Sequence, residues 1–211
     1  MNGTKSERAG DQAAKPLVRM LATELSDREV HWIGFIVANW GFIETEVFHQ
    51  TMATFQEADP PPVLINNLHF TAVLELWKER VVDGAEEESR AKLEALHQRL
   101  LALHEHRAAI IHGQWTWDRA APDQITTTRY VRRQQIRHTY NALALEGIGM
   151  ELAEARYDLH YPKGEADRGR EIEAGGGFMI SRAAFAAMTG HPIAEELGLA
   201  NGPAAHHPLA D

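Results

Sequence analysis

The chain has 211 residues, no cysteine and a formal net charge of −9. That length supports one domain with its own core plus tails, and the absence of cysteine excludes disulfides and thiolate-bound metals, as suits a reducing cytoplasm. The acidic balance excludes a general electrostatic grip on nucleic acid, so any RNA contact must use a local basic patch.

Met1 to Lys15 is polar and lacks the apolar stretch of a signal peptide. No apolar run is long enough to span a bilayer, and a cytoplasmic location is expected. Residues 1–25 are expected to form a flexible arm, with room for a short helix around Pro16 to Thr23. Ser26 then has the character of an N-cap, and Glu29 three residues on completes a capping box. A long helix is predicted from Asp27 to Gln56, with Ile33, Val37, Trp40, Val47 and Phe48 on one side. Asp59-Pro60-Pro61-Pro62 stops it.

A second helix is predicted from Leu64 to Val82, where Phe70, Val73, Leu74, Trp77 and Val81 recur at helical spacing. Asp83-Gly84 breaks it. A third helix begins near Glu86, with acidic residues in its first turn, and carries Leu93, Leu96, Leu100, Leu103 and Ile110 as its apolar stripe. Gly113 ends it. Gln114 to Val131 is rich in β-formers, with a turn at Ala121-Pro122-Asp123, and reads as a β-hairpin over about 114–133. A last core helix is predicted from Arg137 to Leu159, burying Leu145, Ile148, Leu152, Ala155 and Leu159. Residues 26–161 thus form a helical domain. Residues 162–211 read as a peripheral Gly- and Ala-rich tail, with one short helix over Arg182 to Met188.

Two charges interrupt apolar stripes. Arg107 continues the line of Leu93, Leu96, Leu100 and Leu103, and a guanidinium on a buried face demands a partner. Glu44 interrupts the line Ile33, Val37, Trp40, Val47 in the same way. The two are expected to meet across the bundle, as a buried pair that fixes helix register or as part of an active centre. His112 lies five residues past Arg107, roughly 140° around the helix at about 100° per residue. A long arginine can lean toward it. Ala108 and Ala109 are expected to leave open space beside its imidazole, a group that moves protons near neutral pH.

The segment His106-Arg107-Ala108-Ala109-Ile110-Ile111-His112-Gly113 resembles the R-x-x-x-x-H signature of the HEPN superfamily. The preceding Trp40-Gly41-Phe42-Ile43-Glu44 and the Trp-bearing hairpin extend the likeness over about Asp27 to Leu159. The resemblance implies a mainly α fold: a four- to five-helix bundle with a β-hairpin inserted before the last core helix. It also implies a homodimer with both motifs facing one cleft, and metal-independent RNA cleavage by 2′-OH attack. In that scheme His112 moves the proton, Arg107 stabilises the charged phosphorane and Glu44 orients Arg107. Members of this kind are commonly toxins or phage-defence proteins, with an antitoxin or defence-system partner. Ala108 departs from the pattern, because HEPN nucleases usually carry Asn, Asp or His there. Gly113-Gln114-Trp115 departs again, because members silenced by a nucleotidyltransferase carry a Tyr shortly after the His.

Arg129, Arg132, Arg133, Arg137 and His138 form the densest basic run, a candidate phosphate track or a charge-protected hairpin edge. His106 is a further candidate for substrate binding. Trp115 and Trp117 either stack a base or pack on the bundle, as alternating hairpin aromatics usually do. The twelve histidines include no H-E-x-x-H spacing, although His97 and His104 lie one heptad apart, and no metal or cofactor is expected. Two other readings stay open. One is a non-catalytic dimerisation or interaction module of the same fold; the other is a domain that senses a nucleotide in the same cleft.

Overall fold

Ser26 opens the first helix as its sequence predicts. Its backbone N–H and its hydroxyl donate to the Glu29 carboxylate at 2.7 and 2.8 Å, and its hydroxyl accepts from the Glu29 N–H at 3.3 Å. Two of the unpaired N–H groups of a helix start are thereby satisfied. The computed structural model describes residues 25–63, 65, 68–174 and 182–193. The expected N-terminal arm, the start of the second helix at Leu64 and the glycine run Gly175-Gly176-Gly177 lie outside the described residues.

Helix α1 spans Asp27–Ala53 and ends before the predicted Gln56. Its buried line is Ile36, Trp40, Ile43, Val47 and Thr51, rotated from the predicted one. Val37 is exposed, and Ile33 and Phe48 are partly buried at the margin. Apolar residues occupy more than one face of α1, so two stripes compete; the one that buries both Ile36 and Ile43 beside Trp40 removes more apolar surface from water. Helix α2 spans Phe70–Trp77 and continues as a π-helical turn, Lys78–Val82. Val73, Leu74 and Trp77 are buried as expected. The extra residue of the π turn then shifts the face by one position, so that Val82 is buried and Val81 sits at the edge. Gln50 of α1 ties the layers together: it accepts from Trp77 Nε1 at 2.9 Å and donates to the Leu159 carbonyl at 2.8 Å.

Helix α3 spans Glu87–His112 and buries the predicted leucines and Ile110. Three strands follow, β1 Gln114–Asp118, β2 Ala121–Val131 and β3 Gln134–Tyr140, in an antiparallel sheet of order β1-β2-β3. The sequence implied one hairpin and a helix beginning at Arg137. Both are corrected. The first turn is Arg119-Ala120, not Ala121-Pro122-Asp123, and Arg137 lies in β3. Alternation decides the second point: Ile136, His138 and Tyr140 pair with Arg129, Thr127 and Ile125 on the bundle-facing side of the sheet. Helix α4 begins at Ala142 and runs to His160, with the Asn141 side chain capping the Ala144 N–H at 2.7 Å. It buries Leu145, Leu152, Ala155 and Leu159, and Gly149 in place of the partly buried Ile148.

Two glycines set close approaches. A Cβ on Gly149 would lie 2.9 Å from the Trp32 ring, so this glycine lets α4 press on α1. A Cβ on Gly113 would lie 2.4 Å from the Ala109 carbonyl oxygen and 2.7 Å from Thr127 Cβ. Gly113 is extended, with φ −83° and ψ 147°; the position excludes other residues by crowding rather than by a left-handed backbone. The structure is mainly helical with a small antiparallel sheet, and no helix among the described residues is long and apolar enough to cross a membrane.

The chain divides into two compact units, residues 1–164 and 165–211. The second contains α5, Glu165–Glu173, which the sequence did not announce, and α6, Arg182–Thr189, where a short helix was expected. Helix α5 buries no residue, so it has no apolar face for a periodicity argument to find.

Arg132 and Arg133 both have positive φ, 48° and 69°, in the two-residue turn between β2 and β3. Such turns favour Asn-Gly. Arg132→Asn/Arg133→Gly is expected to stabilise the fold by about 1–2 kcal/mol through release of backbone strain. Gly113→Ala is expected to destabilise it by roughly 1–3 kcal/mol through overpacking. Urea unfolding of the two variants against the parent checks both signs.

Candidate active site at the end of helix α3

Helix α3 delivers two of the predicted side chains and α1 the third. Arg107 Nη1 lies 3.5 Å from His112 Nε2. Arg107 Nη2 lies 3.8 Å from Glu44 Oε1, and that same oxygen accepts from Trp40 Nε1 at 2.8 Å. The structure therefore brings Glu44, Arg107 and His112 together in one line. The expected buried pair is instead a pair at the rim: the Arg107 and Glu44 side chains are 23% and 38% exposed. The rotation of α1 explains this, since Ile43 takes the central position and Glu44 falls on the flank. His112 is exposed at the last turn of α3.

Arg107 is under-committed. Its Nε is buried and has no hydrogen-bond partner, and its contact with Glu44 is longer than a hydrogen bond. Ala108 and Ala109, expected to leave space beside the imidazole, are 5% and 0% exposed. They seal α3 against its neighbours, so the open side of His112 is the solvent side. Beside Glu44, a cleft of about 410 Å³ opens between α1 and α2, lined by Thr45, Phe48, Ile65, Phe70 and Val73 among others.

The other predicted contact residues separate into two groups. Arg129 faces α3, is paired with Glu105 and is only 15% exposed. His106 is also turned inward: its Nδ1 lies 3.2 Å from the Tyr140 hydroxyl, and its ring meets His138 edge-on at 5.6 Å. Arg132 and Arg133 instead form the exposed turn, and Arg137 is exposed on β3. Trp115 packs against the core, whereas Trp117 is 45% exposed. His97 is buried near Glu75, whereas His104 packs on Phe70 and Trp40, and among the described residues no group of three or more His, Asp or Glu side chains converges on a possible metal position.

Sequence reading missed two neighbours of the site. His104 stacks on Phe70 at 5.4 Å and lies 5.6 Å from the Trp40 ring, which places it behind Arg107. Burial, then the Arg107 charge, pushes its pKa below the usual histidine value. Tyr140 is buried, and its burial raises the phenol to about 12, so it stays a neutral hydroxyl beside His106. The i, i+3 relation of His104 to Arg107 was a legible signal. The position of Tyr140 became visible only once β3 was placed.

Burial also lowers the pKa of His106, and the neighbouring His138 adds to the shift. A histidine with a lowered folded pKa binds its proton more readily when unfolded. Stability from His104 and His106 is then full above the unfolded value near 6.5 and is lost as pH falls through the lowered folded values. The melting temperature is expected to drop between about pH 7 and pH 5, and to drop less in His106→Gln, whose side chain does not titrate. Thermal melts across that window decide it; an unchanged slope in the variant would remove His106 from the account.

Compared with known proteins, the chain has no match: no family model, no curated protein and no solved structure corresponds to it.

Proposed function

We propose that the chain is a metal-independent endoribonuclease of the HEPN type, serving as a toxin or in phage defence. The observation that carries this reading is the line Glu44–Arg107–His112, with spacings of 3.8 and 3.5 Å, open to solvent on the histidine side. An exposed imidazole next to a guanidinium has the two functions that 2′-OH attack requires. His112 takes the 2′-OH proton as the oxygen attacks phosphorus, and the P–O5′ bond breaks. The products are a 2′,3′-cyclic phosphate and a 5′-OH end. Arg107 meets the negative charge that builds on the phosphorane oxygens. Glu44 acts as a positioning residue: Trp40 fixes its carboxylate, and the carboxylate steers Arg107 without consuming its N–H groups.

The dimeric cleft belongs to the same proposal. Val30, Gly34, Val37 and Gly41 form an exposed run along α1 that leads toward Glu44. A second copy seated on that run would bring its own Arg107 and His112 to the same groove. The partner's histidine would then be placed to protonate the leaving 5′ oxygen.

One observation favours a second reading. Ala108 stands where nucleases of this type carry a polar helper, and it is buried. A non-catalytic interaction module would need only the helix-fixing part of the constellation. A nucleotide sensor would add a base in the cleft beside Glu44.

Purified protein incubated with mixed RNA in EDTA, with ends mapped, separates these readings. Cleavage to cyclic phosphate ends is expected. His112→Ala and Arg107→Ala are expected to lower the rate by about 100-fold or more, as for loss of a general base or a charge-stabilising donor. Glu44→Gln is expected to lose less. A wild-type protein that cuts nothing, or a His112→Ala variant that cuts equally well, would end the RNase reading.

A further inference from the structure

The solvent face of the three-stranded sheet is unlike the rest of this acidic chain. Residues 114–140 hold five arginines and only two aspartates, whereas the whole chain is at −9. Several arginines elsewhere are matched, Arg28 with Glu146, Arg80 with Asp59 and Arg99 with Glu154 and Asp158, and on the inner face of the sheet Arg129 is matched with Glu105. Arg132, Arg133 and Arg137 are exposed, and among the described residues none of them pairs with a carboxylate.

The register says where these charges stand. Successive strand residues point to opposite faces. Ile125, Thr127, Arg129 and Tyr140 are on the inner side, so Thr116, Thr126, Thr128, Tyr130, Arg137 and Thr139 are on the outer side, with Gln114 and Gln135. The Thr126–Thr139 hydroxyl contact at 3.0 Å lies on that outer side. The carboxylate of β1, Asp118, stands at the far end of the strand beyond a register shift, away from Arg137 and the Arg132-Arg133 turn. Tyr130 is 74% exposed, a large aromatic surface left in water on a polar face. The row Gln114–Thr128–Arg137 crosses the sheet at the end where β1 leaves α3, two residues from His112. The Arg132-Arg133 turn closes β2 and β3 at that same end. From Thr128 to that turn is four residues, about 13 Å at strand rise. The turn keeps two arginines at positive φ, where Asn-Gly would fit with less strain, and persistent strain of that kind marks functional positions.

We infer that this sheet face binds single-stranded RNA, with Tyr130 as a base-stacking platform and Arg132, Arg133 and Arg137 on the phosphates, and leads the strand to His112. The inference deepens the RNA-cleaving reading and rests on it for the ligand. The combination selects for single strands. Cations track the backbone, and an aromatic face takes an unstacked base of any identity. A duplex offers no such unstacked base.

The test uses the full chain and a fluorescein-labelled 2′-O-methyl RNA 20-mer of unstructured mixed sequence, which lacks the attacking 2′-OH and cannot be cut. Anisotropy is followed across salt concentrations. Tyr130→Ala is expected to weaken binding about tenfold with an unchanged salt slope. Arg132→Asn/Arg133→Gly is expected to weaken binding and to lower the log–log salt slope by about 1.4, two phosphate contacts on a single strand. The same variant should melt at a higher temperature, so its weaker binding cannot come from damage to the fold. Binding that neither variant changes overturns the inference. A duplex that binds as tightly as the strand does so too, as does displacement of the strand by polyglutamate at matched charge, which would make the face a dock for an acidic protein. Cleavage with no effect of these variants leaves the RNase reading standing and removes this one. Variant-sensitive strand binding without any cleavage of natural RNA does the reverse.

Discussion

The crowding at Gly113 holds the helical half and the sheet half of this protein in one geometry. Helix α3 ends there with its Ala109 carbonyl and the Thr127 side chain pressed against the glycine. The chain leaves the helix in extended form and enters β1 without a loop, and at that crossing no Cβ fits. His112 is thereby placed at a rigid junction and not on a mobile connection. The same contact sets Thr127, and through the register of β2 it sets Arg129 and the outward-facing Thr128 and Tyr130. A single close approach therefore positions the candidate base, the inner ion pair and the outer sheet face relative to one another. Sites built on rigid elements hold reacting groups more tightly than sites on loops.

Charge is distributed by a consistent rule around that junction. On the inner side each cation has a defined counter-group: Arg129 has Glu105, and Arg107 has Glu44. His104 and His106, lying among them, are biased toward the neutral form by burial. A second positive charge beside Arg107 is thus disfavoured, and the junction between α3 and the sheet is kept free of repulsion. On the outer side the arginines are left to solvent. In a chain of this net charge, nonspecific attraction of polyanions to the rest of the surface is weak, so a small unpaired cluster retains its directional effect.

What the sequence made legible follows from periodicity. The leucine line of α3, the face of α4 and the capping box at Ser26 rest on local rules that tertiary structure had no reason to override. The stripe of α1 was misread by about one position because Ile33, Val37, Ile36 and Ile43 offer two overlapping faces, and only packing chooses between them. The β3 strand was missed because Gln134 to Tyr140 has few strong β-formers, and Arg137-His138 continues smoothly into a helical pattern. Asn141, a good N-cap in plain view, was the signal for the true helix start. The Glu44–Arg107 contact was legible because a charge within an apolar stripe needs an explanation. Its rim position was not, because that depends on the rotation of α1.

That rim position bears on chemistry more than the deep pairing first expected. A guanidinium fully buried against a carboxylate would form a bidentate pair and would have little left for a ligand. Here Trp40 takes the near oxygen of Glu44 at 2.8 Å, and Arg107 is held at 3.8 Å. The carboxylate still opposes the arginine charge and keeps it in place, while the indole prevents the close fork that would saturate it. Arg107 keeps loosely engaged Nη groups, next to an exposed imidazole. In the proposed reaction such an arrangement would meet charge that arrives from outside better than charge already present. That difference would separate the proposed receptor for a developing anion from a static salt bridge.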